Sequence, residues 1–251
     1  HLYIRTDVLK QHGISTPKTY EEVVAAAEKI RAAGKMKYPY AAAYKAGWNL
    51  AEEFVNMYIG HGGEFFKSGT ATPSINNAKG VATLNMLKKL ADLSNPDFLT
   101  HDSEAIKVEW EAGNVAIMTL WASRAGTLLD AEGDAKITAS TKLVAPATVG
   151  GGNIPATTLW WDGFTLAKNR SDADAEASFR AMAHAASSKE MVAKAADQAV
   201  WLIEGFVPGP KSVGVIKAVE MGAKPYPMLP QMGLMHGALG NEIVEFLQGN
   251  E

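Results

Sequence analysis

The sequence predicts an α/β protein whose sheet is covered on its faces. Three observations carry this. Segments with helical spacing of apolar residues alternate with short apolar or β-rich runs along the chain. Gly, Pro, Asn and Ser punctuate the boundaries between them. The 251 residues are 47% hydrophobic and 20% charged, enough apolar material for one large domain or two small ones.

The first run, residues 2–4, reads as a strand. An Asp7-Val8-Leu9 turn follows, then breaks at Gly13 and Pro17. Thr19 with Glu22 has capping-box spacing, in which hydroxyl and carboxylate each satisfy a backbone donor left open by the first helical turn. The helix behind it presents Val23, Ala27 and Ile30 on one face and stops at Gly34. Residues 38–44 are the next strand. Asn49 with Glu52 opens a second helix through Phe54, Met57 and Tyr58, closing near Gly60. Residues 78–93 carry Val81, Leu84, Leu87 and Leu90 on one stripe and break at Asn95-Pro96. Ser103 opens a shorter helix that ends at Gly113. Residues 115–120, 142–144 and 164–167 are further strand candidates. Before the last of these, the loop from Val149 to Pro155, with Gly150, Gly151 and Gly152, is the best linker or hinge candidate. Ser171 begins a helix with Phe179, Met182 and Ala186 inward. Ser187 with Glu190 caps the next, and a last helix runs from about Gln231 to Leu247.

Composition excludes several functions. A net charge of −3 leaves no basic excess to meet a phosphate backbone, so nucleic acid is not an expected partner. The absence of cysteine removes a disulfide framework, a thiolate metal site and a Cys nucleophile. The longest apolar stretch, residues 115–122, is far too short for a membrane span. The histidines at 1, 12, 61, 101, 184 and 236 form no H-x-x-x-H pair, and no metal or other cofactor is expected. Gly60-His61-Gly62-Gly63 fails the dinucleotide fingerprint, and no G-x-S-x-G elbow or Walker loop occurs. Asp172, Asp174 and Glu176 lack the turn glycine and closing glutamate of a calcium loop and read as an acidic first helical turn.

Tryptophan placement points instead to binding. Trp110 falls in a helical pattern and Trp201 near an apolar turn, and both suit a core. Trp48, Trp121, Trp160 and Trp161 stand at loop starts or strand ends beside small or polar residues. A flat aromatic face stacks on the C–H face of a sugar while nearby polar groups bond its hydroxyls. Arg124 follows Trp121 by three residues and offers a fork of donors to vicinal hydroxyls or a carboxylate. Asp162 follows Trp161 directly and can accept from two hydroxyls. Each has a plainer alternative, a solvated ion pair for Arg124 and a turn residue for Asp162. His236 sits inside the last helical pattern, where a lone histidine is more often structural than a ligand.

Several segments, in collinear order, resemble the family 1 extracellular solute-binding proteins. Residues 2–22 are similar to the strand and helix start that follow the family's first inter-lobe hinge. Gly62-Gly63-Glu64-Phe65-Phe66 resembles its Gly-Gly turn with aromatics. Residues 110–118 resemble its strand entry, with Trp110 in place of the usual Phe. Residues 162–190, 206–213 and 226–249 resemble the recrossing strand and helix, the Pro-containing segment and the return helix.

The resemblance implies the type II, two-lobed periplasmic-binding-protein-like fold. Residues 1–160 would form most of the second lobe, 164–214 would cross into the first, and 215–251 would return. It implies a chain lacking most of the leading lobe, with exposed apolar faces and strand edges. It further implies capture of a small sugar or polyol and presentation to the membrane permease of an ABC importer, from a periplasmic or lipid-tethered extracellular location. Trp48, Trp121 and the position of His236 correspond to the family's sugar-stacking aromatics. A maltodextrin-binding member carries Trp where this chain has His236, which favours a smaller ligand. Trp161 and Asp162 fall where the family's small recrossing residues meet the ligand, again narrowing the pocket. The expected ligand-binding set is therefore Trp48, Trp121, Arg124, Trp161, Asp162 and His236. An α/β carbohydrate-active enzyme using a carboxylate pair, and a receptor for a charged non-sugar solute, are the rival readings.

Overall fold

The computed structural model describes residues 1–130, 134–196, 200–201 and 203–250. Its main sheet is mixed and four-stranded, in the order β2-β3-β1-β4. The strands are β1 (Leu2–Arg5), β2 (Tyr40–Ala42), β3 (Ile117–Thr119) and β4 (Thr141–Val144). β1 runs antiparallel to β3 and to β4, with Tyr3 opposite Met118 and Leu143, and β2 runs parallel to β3.

Alternation along β1 feeds two cores, since successive side chains of a strand point to opposite faces. Leu2 and Ile4 join Tyr40, Ala42 and Ile117 in a cluster with α2 (Tyr20–Ala32), α3 (Trp48–Gly60), α4 (Ala78–Ala91) and α11 (Met232–Gln248). Tyr3 joins Ala41, Met118 and Leu143 in a second cluster with Ile106 and Trp110 of α5 (Ser103–Glu111). Burial on both faces explains why 115–120 reads as a nearly unbroken apolar run. α3 is enclosed on nearly every side, packing on α4 and α11.

Further short helices, α1 (Thr6–Gln11), α6 (Ala125–Leu128), α7 (Ala135–Ser140), α9 (Lys189–Lys194) and α10 (Val213–Glu220), connect these layers. β5 (Thr158–Leu159) and β6 (Lys224–Pro225) form a parallel two-stranded sheet beside them. The remaining helix, α8 (Asp172–Ser187), packs against α9 and buries no residue.

Several caps differ from expectation. Thr19 caps α2, but Glu22 reaches back to the Lys18 amide at 2.6 Å rather than to that of Thr19. α3 starts at Trp48, its N-cap being Gly47 with φ 92°, so Asn49 is not the cap and Glu52 is turned inward. Asp102, not Ser103, caps α5, accepting from the amides of Glu104 and Ala105. Ser187 ends α8, and it is the Ser188 carbonyl that accepts from Val192 in α9.

Val81 is exposed although Leu87 and Leu90 are buried. Steps of three residues drift around a helix, and three such steps turn Val81 roughly 180° from Leu90. Phe179 is exposed rather than inward, while Met182 and Ala186 are half-buried. Residues 164–167 form no strand. Phe164 and Leu166 are exposed, and the nearby pairing is made instead by β5 on β6, where Pro225 supplies no N–H to extend the ladder.

The glycine loop is fastened rather than free. Thr148 is held by two backbone bonds, its carbonyl accepting from the Tyr20 amide and its own amide donating to the Lys18 carbonyl. Glu21 accepts from the Gly150 amide at 2.9 Å, and Val149 is fully buried.

Candidate functional site

Strand ends and helix starts bring five rings together. Gly47 donates its N–H to the Gly240 carbonyl of α11 at 2.9 Å, which sets the first turn of α3 against that helix. Trp48 and His236 thereby lie with ring centroids 5.0 Å apart. Trp121 follows β3, its carbonyl accepting from the Tyr3 hydroxyl at 2.9 Å, and its ring meets Trp48 edge-on at 6.0 Å. Trp160 follows β5 and Tyr226 follows β6. The parallel pairing of those strands sets the two rings 4.4 Å apart. Trp48 and Trp160 are separated by 5.9 Å. Trp48 is 49% exposed and Trp160 48%, so both offer ring surface to solvent. Trp121, Trp160 and Tyr226 thus stand just beyond the carboxyl ends of β3, β5 and β6, the side of an open α/β sheet where ligand sites are commonly found.

Polar groups beneath the rings hold them in place. Thr158 Oγ1 accepts from Trp160 Nε1 at 2.8 Å and donates toward Glu52 Oε1 at 2.8 Å. Trp160 Nε1 also reaches Glu52 Oε1 at 3.3 Å. Glu52 is 1% exposed, and its second oxygen has no partner among the described residues. Burial pushes its carboxyl up to about 7, against the hydrogen bonds from Thr158, Trp160 and Asn56. Burial also pushes the Tyr226 hydroxyl up to about 12, with the Glu52 charge adding to it. His236 is 4% exposed and bonded on both ring nitrogens, to Tyr226 and to the Trp48 carbonyl. It therefore supports the cluster from behind.

The sequence candidates divide. Trp48, Trp121 and His236 are brought together. Arg124 lies 6.0 Å from the Trp121 ring, but its guanidinium is engaged by Glu104 at 2.6 Å and Ser103 at 3.0 Å. Trp161 is 71% exposed, and no ring contact or hydrogen bond ties it or Asp162 to the cluster among the described residues. Trp110 is core, donating to Thr141 Oγ1 at 3.1 Å, as its helical spacing suggests.

Tyr226, Glu52 and Thr158 are the participants sequence reasoning missed. Tyr226 in Pro225-Tyr226-Pro227 is punctuated like a turn, a signal that was available. Glu52 reads as an ordinary polar helix position. Two concavities, of about 270 and 370 Å³, lie elsewhere and include none of the cluster residues.

No helix among the described residues is long and apolar enough to cross a membrane. A model of the bacterial extracellular solute-binding proteins matches residues 2–198. A probable ABC transporter-binding protein of Deinococcus radiodurans is 31% identical over 176 residues, covering 67% of this chain and 40% of that protein. An ABC transporter solute-binding protein from Agrobacterium radiobacter K84, solved in complex with ribitol, superposes with TM-score 0.79 at 19% identity, over all of this chain and 64% of its own. Maltose-bound MalE3 of T. maritima superposes with TM-score 0.78 at 18% identity, over 100% of this chain and 66% of its own. The chain thus spans 40% of the curated relative and no more than 66% of these solved ones. These superpositions bear out the α/β class and the two-lobed solute-binding architecture. With its family match running from residue 2 to residue 198, the chain belongs to the bacterial extracellular solute-binding proteins.

Proposed function

We propose that this chain supplies an aromatic wall of a cleft that captures a neutral, hydroxyl-rich solute, a small sugar or polyol. The captured solute is handed unchanged to the membrane permease of an ABC importer, from the periplasm or a lipid-tethered extracellular position. The observation that carries the reading is the half-exposed pair Trp48 and Trp160, backed by Trp121, Tyr226 and His236. Such faces bury the C–H surface of a sugar or polyol without requiring charge. Arg124, the cation beside Trp121, is already neutralised by Glu104, which weakens the case for an anionic solute. Relatives solved with ribitol and with maltose show that this fold accommodates such ligands in those proteins. On this reading residues 1–160 belong to the second lobe, 164–214 cross to the first and 215–251 return. Closure follows from tighter binding to the closed state.

Intrinsic tryptophan fluorescence, titrated with pentitols, monosaccharides and disaccharides, tests the proposal. The titration is run on this chain and on a protein of the relatives' full length that contains it. A saturable change for one class, lost in Trp121→Ala, supports capture. Silence toward every neutral probe in the longer protein, with a response to charged solutes, overturns it.

A further inference from the structure

The hydrogen-bond polarity of the ring cluster follows atom by atom. His236 Nε2 lies 2.9 Å from the Trp48 carbonyl oxygen. A carbonyl only accepts, so Nε2 carries the proton. Burial lowers the His236 pKa, so the ring is neutral near pH 7 and its Nδ1 is bare. The Tyr226 hydroxyl, 2.8 Å from Nδ1, therefore donates to it. Its single proton is directed into the protein, leaving only lone pairs for anything outside. The neighbouring Trp160 N–H is likewise directed inward, to Thr158 and Glu52. This end of the cluster thus offers ring faces and an acceptor.

We propose that Tyr226 is a specificity-determining residue that accepts a hydrogen bond from a ligand hydroxyl, and that His236 is the positioning residue that fixes this polarity. The assignment deepens the capture reading above and rests on it. A sugar or polyol hydroxyl can donate to Tyr226. A carboxylate or phosphate, bringing only acceptors, meets lone pairs there and is repelled. The sequence candidate His236 then acts through Tyr226 rather than on the ligand.

Imidazole ¹⁵N spectra of the histidine-labelled protein read the tautomer without any ligand. The His236 signals are those lost in His236→Gln, and a cross-peak from the Nε2 proton to Trp48 identifies the ring independently of that variant. The expected spectrum has Nε2 protonated, and its Nδ1 signal shifts in Tyr226→Phe while Nε2 stays. An Nδ1-protonated ring, or an Nδ1 signal indifferent to Tyr226→Phe, overturns the relay. For the ligand step, ribitol and maltose are titrated by fluorescence, and whichever binds is retested as deoxy and deoxyfluoro analogues. Fluorine cannot donate, so at the hydroxyl facing Tyr226 both analogues should lose affinity alike, roughly tenfold. That loss should shrink in Tyr226→Phe. A fluoro analogue that retains full affinity wherever the deoxy analogue loses it overturns the acceptor role. If neither ribitol nor maltose binds, Tyr226 fails as a contact for these two probes, the capture reading is decided by its own wider panel, and the tautomer spectrum separately decides the relay.

Discussion

Gly47 and Gly240 meet backbone to backbone: the Gly47 amide donates to the Gly240 carbonyl at 2.9 Å, and a Cβ at position 240 would collide with the Gly47 carbonyl. This contact fixes where α3 begins and so where Trp48 stands relative to His236. Gly240→Ala adds helix propensity worth up to about 1 kcal/mol. It also forces apart two elements that have no room, an overpacking cost of about 1–3 kcal/mol. The expected net is a loss of roughly 1–2 kcal/mol in urea unfolding, with altered tryptophan emission as Trp48 leaves His236. A midpoint equal to or above that of the parent chain would show that the close approach does not constrain the site.

Glu52 predicts a pH dependence with a definite sign. Burial raises its folded carboxyl to about 7, whereas in an unfolded chain it titrates near 4.3. The folded state therefore binds this proton more tightly. Its contribution to stability is fully present at low pH and is lost as pH rises from about 4.3 through about 7, by roughly 4 kcal/mol. Glu53 is pushed to about 8, mainly by burial, and carries its own slope in either protein. Glu52→Gln should accordingly gain on the parent chain at pH 8 and show little gain at pH 5. Part of the gain is offset, because an amide group facing the unpartnered Oε2 position brings donors that also lack a partner. Parallel stability profiles from pH 5 to pH 8 would remove Glu52 as their source.

How far the sequence foretold this arrangement depended on which period a segment obeyed. β1 and β3 were legible because burial on both faces leaves continuous apolar runs. α2 was legible from Thr19 and from Val23, Ala27 and Ile30. Residues 164–167 were misjudged because Phe164 and Leu166 look like strand residues, yet no described strand pairs with them and both face solvent. Among site residues, tryptophan at a loop edge was the readable signal, and it led to Trp48 and Trp121. Tyr226 and Glu52 were not found, since their roles arise from contacts across 108 and 10 positions of sequence, Glu52 to Trp160 and Tyr226 to His236. His236 drew notice by its position, but only the burial of its ring and its two bonds assign it a supporting place.

Asn77 joins a cap to a core tyrosine. Its Oδ1 accepts from the Lys79 amide at 2.8 Å and the Gly80 amide at 3.1 Å, closing the start of α4. Its Nδ2 donates to the Tyr58 hydroxyl at 2.9 Å, tying α4 to α3. Asn77→Ala should cost about 2 kcal/mol or more, above a typical cap loss of about 1 kcal/mol. Asn77→Asp keeps the cap acceptor and loses the donor, so its cost should be smaller. Thermal or urea unfolding of the two variants ranks the contributions, and an equal loss in both would assign the whole effect to the bonds that Nδ2 donates, to the Tyr58 hydroxyl and to the Ser74 carbonyl at 2.6 Å.

Trp48→Ala separates the ring from the backbone at the centre of the cluster. His236 Nε2 bonds the residue's carbonyl, which the substitution leaves in place, while the contacts to Trp121, Trp160 and the His236 ring all disappear. Because the ring is 49% exposed, its removal should cost stability only about 1–2 kcal/mol. If the exposed half is the surface that a solute covers, affinity should fall far more, by roughly tenfold or beyond. Arg124→Ala is the contrasting change. Its partner Glu104 is 63% exposed, so the ion pair contributes within about 1 kcal/mol to folding. With its guanidinium turned to Glu104 and Ser103, its loss should shift affinity by no more than about threefold. Fluorescence titration and urea unfolding of both variants give the two numbers for each. Equal affinity losses would place the cation, and not only the rings, in contact with the solute.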